Sequence, residues 1–296
     1  MRNIIDFIKE SLVLEKRGVF DGASEIAECI YDIIFVDGHS SNEVEISLDD
    51  LESKAKDLGL ELQNIFFKSI VIDISTKHSG DYIAGNFSIS DSIYNYIDDL
   101  FEEISIGILY DPDTIPGKSD VVDTLVHELT HAYTEWNLQL KGLTMASGEK
   151  NSVKSADYYE QVTDEMTAEL DDETNKYDLG AYFLYMMYGH EKNAFFATIA
   201  NKVRKYNSYA VAVEELEKDK VYKEYIDLFA ICKLKEEELE TNVKKLNSKL
   251  DKSIVDNWRK LNKRDAPDKK IWKTIIHDVY ETKKKLDKIV KSQFNK

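Results

Sequence analysis

Two histidines and a glutamate in the middle of the chain have the types and the spacing of a metal site. The segment Val122–Trp136 reads V-D-T-L-V-H-E-L-T-H-A-Y-T-E-W, which places His127, Glu128 and His131 in an H-E-x-x-H arrangement. Positions i and i+4 of an α-helix lie one turn apart on one face, so the two imidazoles can converge on one tetrahedral Zn²⁺. Glu128 lies at the flank of that face, where its carboxylate can take a proton from water that the metal activates.

The residues around the motif predict a buried helix over 120–137. Apolar side chains recur there at helical spacing: Val122, Leu125, Val126, Leu129, Ala132, Tyr133 and Trp136. Burying two neutral histidines and a glutamate costs free energy unless a partner compensates, and a metal ion provides that compensation. The alternative interpretation is a chance motif or a metal-free relic, since a chain with six His and many Glu can spell H-E-x-x-H without binding anything.

A catalytic zinc takes three protein ligands and leaves one position open, so the motif needs a third ligand. The sequence departs from the extended metzincin pattern, because Thr134 stands where Gly belongs and Asn137 where the third His belongs. The third ligand must therefore come from another element. Over about Ile104 to Lys176 the chain resembles the zincin metallopeptidases, specifically the gluzincin type, whose third ligand is a Glu on the next core helix.

The resemblance implies a glutamate helix at 155–176. In gluzincins a Glu followed shortly by a small residue is usual, and T-D-E-M-T-A-E-L matches through Glu165 and Ala168. Glu165 is the first choice for the ligand, because Ala168 leaves room for the helices to approach. Glu169 lies one turn later and is the alternate; whichever of the two is not the ligand can orient a histidine N–H.

The resemblance also implies an activity, that of a zinc metalloendopeptidase with Zn²⁺ as its cofactor. A peptide or protein substrate would lie extended along an edge strand, for which 82–90 is the candidate, and Glu128 would act as general base. Zincins commonly hold the oxyanion with a Tyr or His from the helical side, and the candidates are Tyr177, Tyr182, Tyr185 and His190; packing is the alternative role for each. Asp123 and Glu135, one turn outside the histidines, are either acceptors behind the ligands or solvated.

The rest of the chain predicts an α+β, zincin-like fold. A sheet-rich lobe at 19–110 contains a mixed twisted sheet with helices, and Ser47 and Gly59 begin and end a helix over 48–58. The Asp37–Gly38 pair predicts a turn. Strands are expected at Ile30–Val36, Glu43–Ile46, Ile65–Ser75, Tyr82–Ser90 and Ile104–Tyr110.

After the motif the pattern is helical. A polar loop at 144–154 precedes the glutamate helix, and helices are expected at 179–188, 195–203 and 209–216. The runs 222–250 and 271–290, separated around Ala266–Pro267, predict a long helical hairpin. These elements divide the chain into a metallopeptidase domain at 1–205 and a helical region at 206–296, and helical self- or partner association through 220–290 is one expected use of the latter.

A second functional hypothesis is a structural or interaction protein on a zincin-like scaffold, with the metal site vestigial or non-catalytic. The predicted N-terminal helix at 3–14 supplies its motivation, because M-R-N-I-I-D-F-I-K-E-S-L resembles the openings of some tailed-phage virion proteins. A phage virion component would be one such case.

Charge and composition limit the partners. The formal net charge of -17 disfavours nucleic acid and anionic membranes, because phosphate contacts would be repulsive over most of the chain. Neither a signal peptide nor a transmembrane stretch is recognisable, so a cytoplasmic location is expected, or the virion if the chain is phage-encoded. Cys29 and Cys232 form no C-x-x-C motif.

Overall fold

A computed structural model describes residues 19–38, 42–76, 84–95, 97–110, 117–140, 179–187, 189–262 and 264–294. These residues form two compact units. The first contains the described residues up to Leu143 together with Asn193–Lys205, and the second contains those between Thr144 and Lys192 together with Tyr206–Lys296. The sequence predictions for 3–14, 144–154 and 155–176 lie outside the described residues.

The helices of the described chain are numbered in order. They are α1 (Val19–Tyr31), α2 (Leu48–Leu58), α3 (Lys118–Gln139), α4 (Leu179–Met187), α5 (Gly189–Arg204), α6 (Tyr209–Leu216), α7 (Lys220–Thr241), α8 (Ser248–Asn262) and α9 (Asp268–Ser292). Within this part of the chain, no helix combines the length and apolar character that a membrane crossing requires.

The first unit contains a four-stranded mixed sheet. Its strands are β1 (Glu43–Ser47), β2 (Phe67–Thr76), β3 (Ala84–Asn95) and β4 (Leu100–Tyr110), in the order β1-β2-β4-β3. The β2–β4 pair is parallel, whereas β1–β2 and β3–β4 are antiparallel. The α+β class and the mixed sheet are therefore confirmed, and β3 lies at an edge of the four strands described.

The core of this unit lies between the sheet and helices α1 and α3. Alternate residues of the inner strands are buried, as the period of two requires, and the central ones are Ile70, Ile72, Ile104, Ile106 and Ile108. Ser47 caps the start of helix α2, because its hydroxyl accepts a bond from the Asp50 N–H, and Gly59 ends the helix with a φ of 69°. The predicted capping residues of α2 are confirmed.

The strand predicted at Ile30–Val36 is wrong. Helix α1 runs through Tyr31 and continues as a π-helical segment, Asp32–Val36. Ile30, Ile33 and Ile34 are all buried, and their i, i+3, i+4 spacing places them on one helical face against the core. Packing of this face outweighs the preference of branched side chains for strands. The predicted turn that follows is confirmed, with Gly38 at a φ of 84°.

The second unit contains three C-terminal helices where a two-helix hairpin was predicted. The run 222–250 is interrupted, because α7 ends at Thr241 and α8 begins at Ser248. Asn242 adopts the left-handed conformation, with a φ of 54°, and its N–H donates to the Glu238 carbonyl. Asn tolerates this conformation better than most residues, so it ends the helix although the apolar pattern continues past it.

A buried ion pair joins two of these helices. Lys235 of α7 is 5 % exposed, and its Nζ lies 2.7 Å from a carboxylate oxygen of Asp251 on α8. The other Asp251 oxygen accepts a bond from the Trp272 indole of α9. A buried charge with few alternative partners favours one alignment of packed helices, so we expect this group to favour the observed register of α7, α8 and α9.

The two cysteines provide one chemical probe for each unit. Cys29 and Cys232 are both fully buried and free. Burial, reinforced by nearby acidic side chains, raises the pKa of the Cys29 thiol to about 11 and that of Cys232 to about 12. Only the thiolate reacts readily, so we expect negligible labelling by a disulfide reagent at pH 8 in the native protein and two thiols after denaturation.

The Cys232→Ser variant, which keeps Cys29, would then report local opening of the first unit, and the Cys29→Ser variant, which keeps Cys232, would report opening of the second. Rapid reaction of one thiol in the native wild type would contradict the burial of that unit's core.

Candidate metal centre

Helix α3 presents the motif as the sequence predicts. It extends two residues beyond each end of the predicted span, 120–137. Its apolar stripe is buried in the core of the first unit, and Glu128 and His131 are buried with it, at 6 % and 8 % exposure. His127 is partly exposed. The motif therefore lies where water has limited access, which is the setting in which a bound metal compensates the cost of burying polar groups.

The two histidines converge at their Nε2 atoms. These atoms lie 3.1 Å apart, and the rings are nearly perpendicular, with centroids 4.8 Å apart. Two nitrogens on one tetrahedral zinc, each bonded at 2.0–2.1 Å, would be about 3.3 Å apart. A hydrogen bond between neutral imidazoles also has this length, so a third donor is needed to distinguish a metal site.

Glu191 supplies that third donor. His127, His131 and Glu191 each offer one ligand atom, and these atoms all lie within 4.8 Å of one another. Glu191 is 8 % exposed and stands in the first turn of α5. One turn later Phe195 packs its ring against His127, with centroids 4.8 Å apart. Helix α5 therefore turns the face that contains Glu191 and Phe195 towards the histidines.

Helices α3 and α5 pack antiparallel. Three pairs of residues show the direction: Asp123 with Asn201, His127 with Phe195, and His131 with Glu191. Residues later in α3 contact residues earlier in α5, as antiparallel packing requires. The boundary between the two units falls inside α5, after Lys192, but the helix is continuous from Gly189 to Arg204. The remainder of α5 belongs to the first unit with α3, so one element carries Glu191 to the motif.

Sequence reasoning missed Glu191. The predicted third ligand, Glu165 with Glu169 as alternate, lies outside the described residues and stays a prediction. The segment E-K-N-A at Glu191–Ala194 has the same Glu-x-x-Ala spacing as E-M-T-A at Glu165–Ala168, so the signal used for one was present in the other. Nothing in the local sequence ranks the two, because the choice depends on which helix packs against α3.

Strand β3 passes directly over the motif glutamate. A Cβ atom built at Gly85 would lie 2.7 Å from Cγ of Glu128 and 2.9 Å from its Oε1. The same Cβ would lie 2.7 Å from the γ-methyl of Thr124, one turn earlier on α3. Only glycine allows the backbone of β3 to approach the helix so closely. The edge strand and the Glu128 carboxylate therefore form one wall of the site.

Asp123 ties the two helices of the site together. Its carboxylate accepts a bond of 3.0 Å from the Asn201 side-chain amide and lies 3.2 Å from Nζ of Lys202. Asn201 in turn accepts a bond from the Ser24 hydroxyl of α1. Of the two roles considered for Asp123, a solvated carboxylate is wrong, since the residue is 6 % exposed and bonded to α5.

We compared the chain with known proteins. No family model, curated protein or solved structure matched it.

The structure describes Glu135 fully and the predicted oxyanion residues only in part. Glu135 is fully buried and accepts a bond of 2.7 Å from the Gln139 amide, so a solvated role for it is also wrong. Tyr182 and Tyr185 belong to α4, and His190 precedes Glu191 in α5, but the positions of these three side chains are outside what the structure describes. Tyr177 lies outside the described residues altogether. Their predicted roles stay predictions.

We expect Asp123→Ala to lower the free energy of unfolding by about 2–4 kcal/mol at pH 7, because it leaves Asn201 and Lys202 without their buried acceptor. Burial raises the pKa of the Asp123 carboxyl, and the charges of Lys202 and Lys205 oppose this only in part. From the usual value of about 3.9 up to the raised value, the folded protein keeps a proton that the unfolded chain has lost. Stability therefore decreases as pH rises through this window and is constant above it.

Asp123→Asn removes this titration while keeping an acceptor for Asn201, so its stability profile should be flatter than that of the wild type over the same window. Urea denaturation of the two proteins at a series of pH values makes the comparison. Parallel profiles would contradict a raised pKa at this carboxyl.

Proposed function

We propose that this chain is a zinc-dependent metallopeptidase, with His127, His131 and Glu191 as the metal ligands and Glu128 as the general base. The observation that carries the proposal is the convergence of three ligand atoms from two helices within 4.8 Å, beside a buried glutamate in the H-E-x-x-H position. The motif alone supplies two ligands and a base. The third ligand is what a chance occurrence of the motif would lack.

The donor set fits zinc. Two imidazole nitrogens and one carboxylate oxygen form the His₂Glu set of a catalytic zinc site, in which a fourth position remains for water or substrate. The two nitrogen ligands make Ca²⁺ or Mg²⁺ poor alternatives, because both prefer oxygen ligands. When bound, the ion would supply Lewis acidity and lower the pKa of water at the open position.

Glu128 is the residue that would move the proton in this proposal. It follows His127 directly on α3, so its carboxylate faces the flank of the ligand pair. Its burial under β3 restricts the directions in which the carboxylate can point. In this role Glu128 accepts a proton from the attacking water and delivers it to the leaving amine, which is the chemistry of general acid–base catalysis.

An extended peptide is the substrate that the neighbouring edge strand would receive. The regular ladder of β3 beside Glu128 runs from Ala84 to Ser88, and the pairing with β4 then becomes irregular until Ile93. The outer side of Ala84–Ser88 offers backbone groups to which a peptide can add as a further strand. The oxyanion would be held by one of the predicted candidates Tyr177, Tyr182, Tyr185 or His190.

The test is metal content together with hydrolysis. We expect one zinc per purified chain by elemental analysis, and cleavage of a denatured protein substrate that stops with a chelator and returns with added zinc. A mixed peptide library, read by mass spectrometry, would find the substrate sequence. A protein that binds no zinc even when metal is added would overturn the proposal and favour the structural or interaction role on a zincin-like scaffold.

A further inference from the structure

The closest approach between the sheet and helix α3 occurs at the proposed general base. Gly85 stands opposite Ile108 in the β3–β4 ladder, on the face of the sheet that packs on the helix. A Cβ at this position would come within 2.7 Å of both the Glu128 Cγ and the Thr124 γ-methyl. Ordinary contacts between carbon atoms are about 3.5–4.0 Å, so a methyl group here would intrude by about 1 Å.

The two side chains under Gly85 differ in their freedom to move. The Thr124 hydroxyl donates a 2.9 Å hydrogen bond to the Asp120 carbonyl one turn earlier, which fixes the rotamer and holds the γ-methyl towards β3. Glu128 has three rotatable bonds, and its carboxylate is the group that the methyl would displace. Of the two side chains, Glu128 is therefore the one that a substituent at Gly85 would displace, because the Thr124 γ-methyl is held in place.

The histidine ligands are outside this contact. The three atoms nearest to a Cβ at Gly85 all belong to Glu128 and Thr124. His127 and His131 meet Glu191 and Phe195 of α5. A change at Gly85 should therefore separate the position of the base from the binding of the metal.

We infer that Gly85 is a positioning residue for Glu128: the missing side chain lets the edge strand hold the carboxylate at the distance from the metal that proton transfer requires. The inference rests on the proposed peptidase function. It predicts that Gly85→Ala lowers kcat by about 10- to 100-fold, the cost of displacing a reacting group by about 1 Å. KM and the zinc dissociation constant should stay within about twofold of the parent values.

Gly107 of β4 provides the matched control. The three atoms nearest to a Cβ there all belong to the end of the Asn86 side chain, and Asn86 points to the opposite face of the sheet from Gly85. Gly107→Ala therefore adds the same methyl group to the neighbouring strand without approaching Glu128. We expect its kcat and zinc affinity to equal those of the parent.

A double-mutant cycle on the metal-free protein tests the contact without any assay of activity. The cycle is made in a Thr124→Ser background, which removes the γ-methyl and leaves Glu128 as the source of close contacts. Gly85→Ala should lower the melting temperature by about 3–8 °C. The loss should largely disappear when Glu128→Ala is also present, whereas Gly107→Ala should cause the same shift with either residue at 128.

Each outcome decides one question. An equal loss from Gly85→Ala with Glu128 or Ala at position 128 would overturn the inference, as would a parallel fall in zinc affinity, which would mean that the metal site itself had moved. The protein could instead show the expected melting temperatures in the double-mutant cycle but neither bind zinc nor cleave peptides. That result would overturn the proposed function and, with it, the catalytic role of the Gly85 contact.

Discussion

Glu191→Ala is expected to lower zinc affinity by more than about 100-fold, whereas Glu165→Ala and Glu169→Ala should leave it within about twofold of wild type. Loss of a residue that merely orients a ligand already costs about 10- to 100-fold in metal affinity, so loss of a direct ligand should cost more. We expect that direct role of Glu191, because one of its carboxylate oxygens lies within 4.8 Å of a ring nitrogen of each histidine.

The measurement is competition with a chromophoric chelator at fixed pH, since metal affinity changes with the protonation of the ligands. His131→Ala is the positive control for loss of the site. Glu191→Gln distinguishes ligation from packing, because it keeps the size of the side chain and removes its charge. Retention of zinc by Glu191→Ala, with loss in Glu165→Ala or Glu169→Ala, would restore the ligand that the sequence resemblance implied.

Glu128→Gln is expected to lower kcat by about 10²- to 10⁴-fold while zinc stays bound. Removing a general base costs a factor of this size, because the amide can neither accept the proton of water nor deliver it to the leaving amine. Gln has nearly the same volume as Glu, so the packing under Gly85 should persist.

The comparison must therefore hold metal content and folding constant. Zinc analysis and the melting temperature of each variant supply those controls, and cleavage of the peptide found by library screening supplies kcat. Activity of Glu128→Gln close to that of wild type would contradict the proposed mechanism even if zinc and its three ligands were confirmed. A loss of zinc in the variant would assign Glu128 to the metal instead.

The relation between metal binding and stability follows from the location of the ligands. His127 and His131 belong to α3 in the core of the first unit, and Glu191 lies in the first turn of α5, which packs antiparallel to α3. A ligand that binds only the folded protein stabilises it in proportion to the logarithm of its concentration. Zinc should therefore stabilise the packing of α3 against α5, in addition to the hydrogen bond from Asn201 to Asp123 that already connects the two helices.

The sequence by itself determined the elements whose signals are local. The spacing of His127 and His131 and the apolar stripe around them specify a helix with both imidazoles on one face, because helical periodicity depends only on the chain itself. Ser47 and Gly59 likewise specify the ends of α2, since capping bonds connect residues a few positions apart. Four of the five predicted strands likewise followed from short segments rich in branched and aromatic residues.

Only the tertiary structure decided which distant groups meet. Ile30–Val36 has the composition of a strand but is helical, because its buried face fits the core, and Asn242 ends a helix whose apolar pattern continues. Glu165 and Glu191 have the same local signal, and packing of α5 on α3 is what brings Glu191 to the histidines. Long-range packing energies are not encoded in any single segment, so the candidate third ligand and the close approach of Gly85 to Glu128 emerge only when the chain is folded.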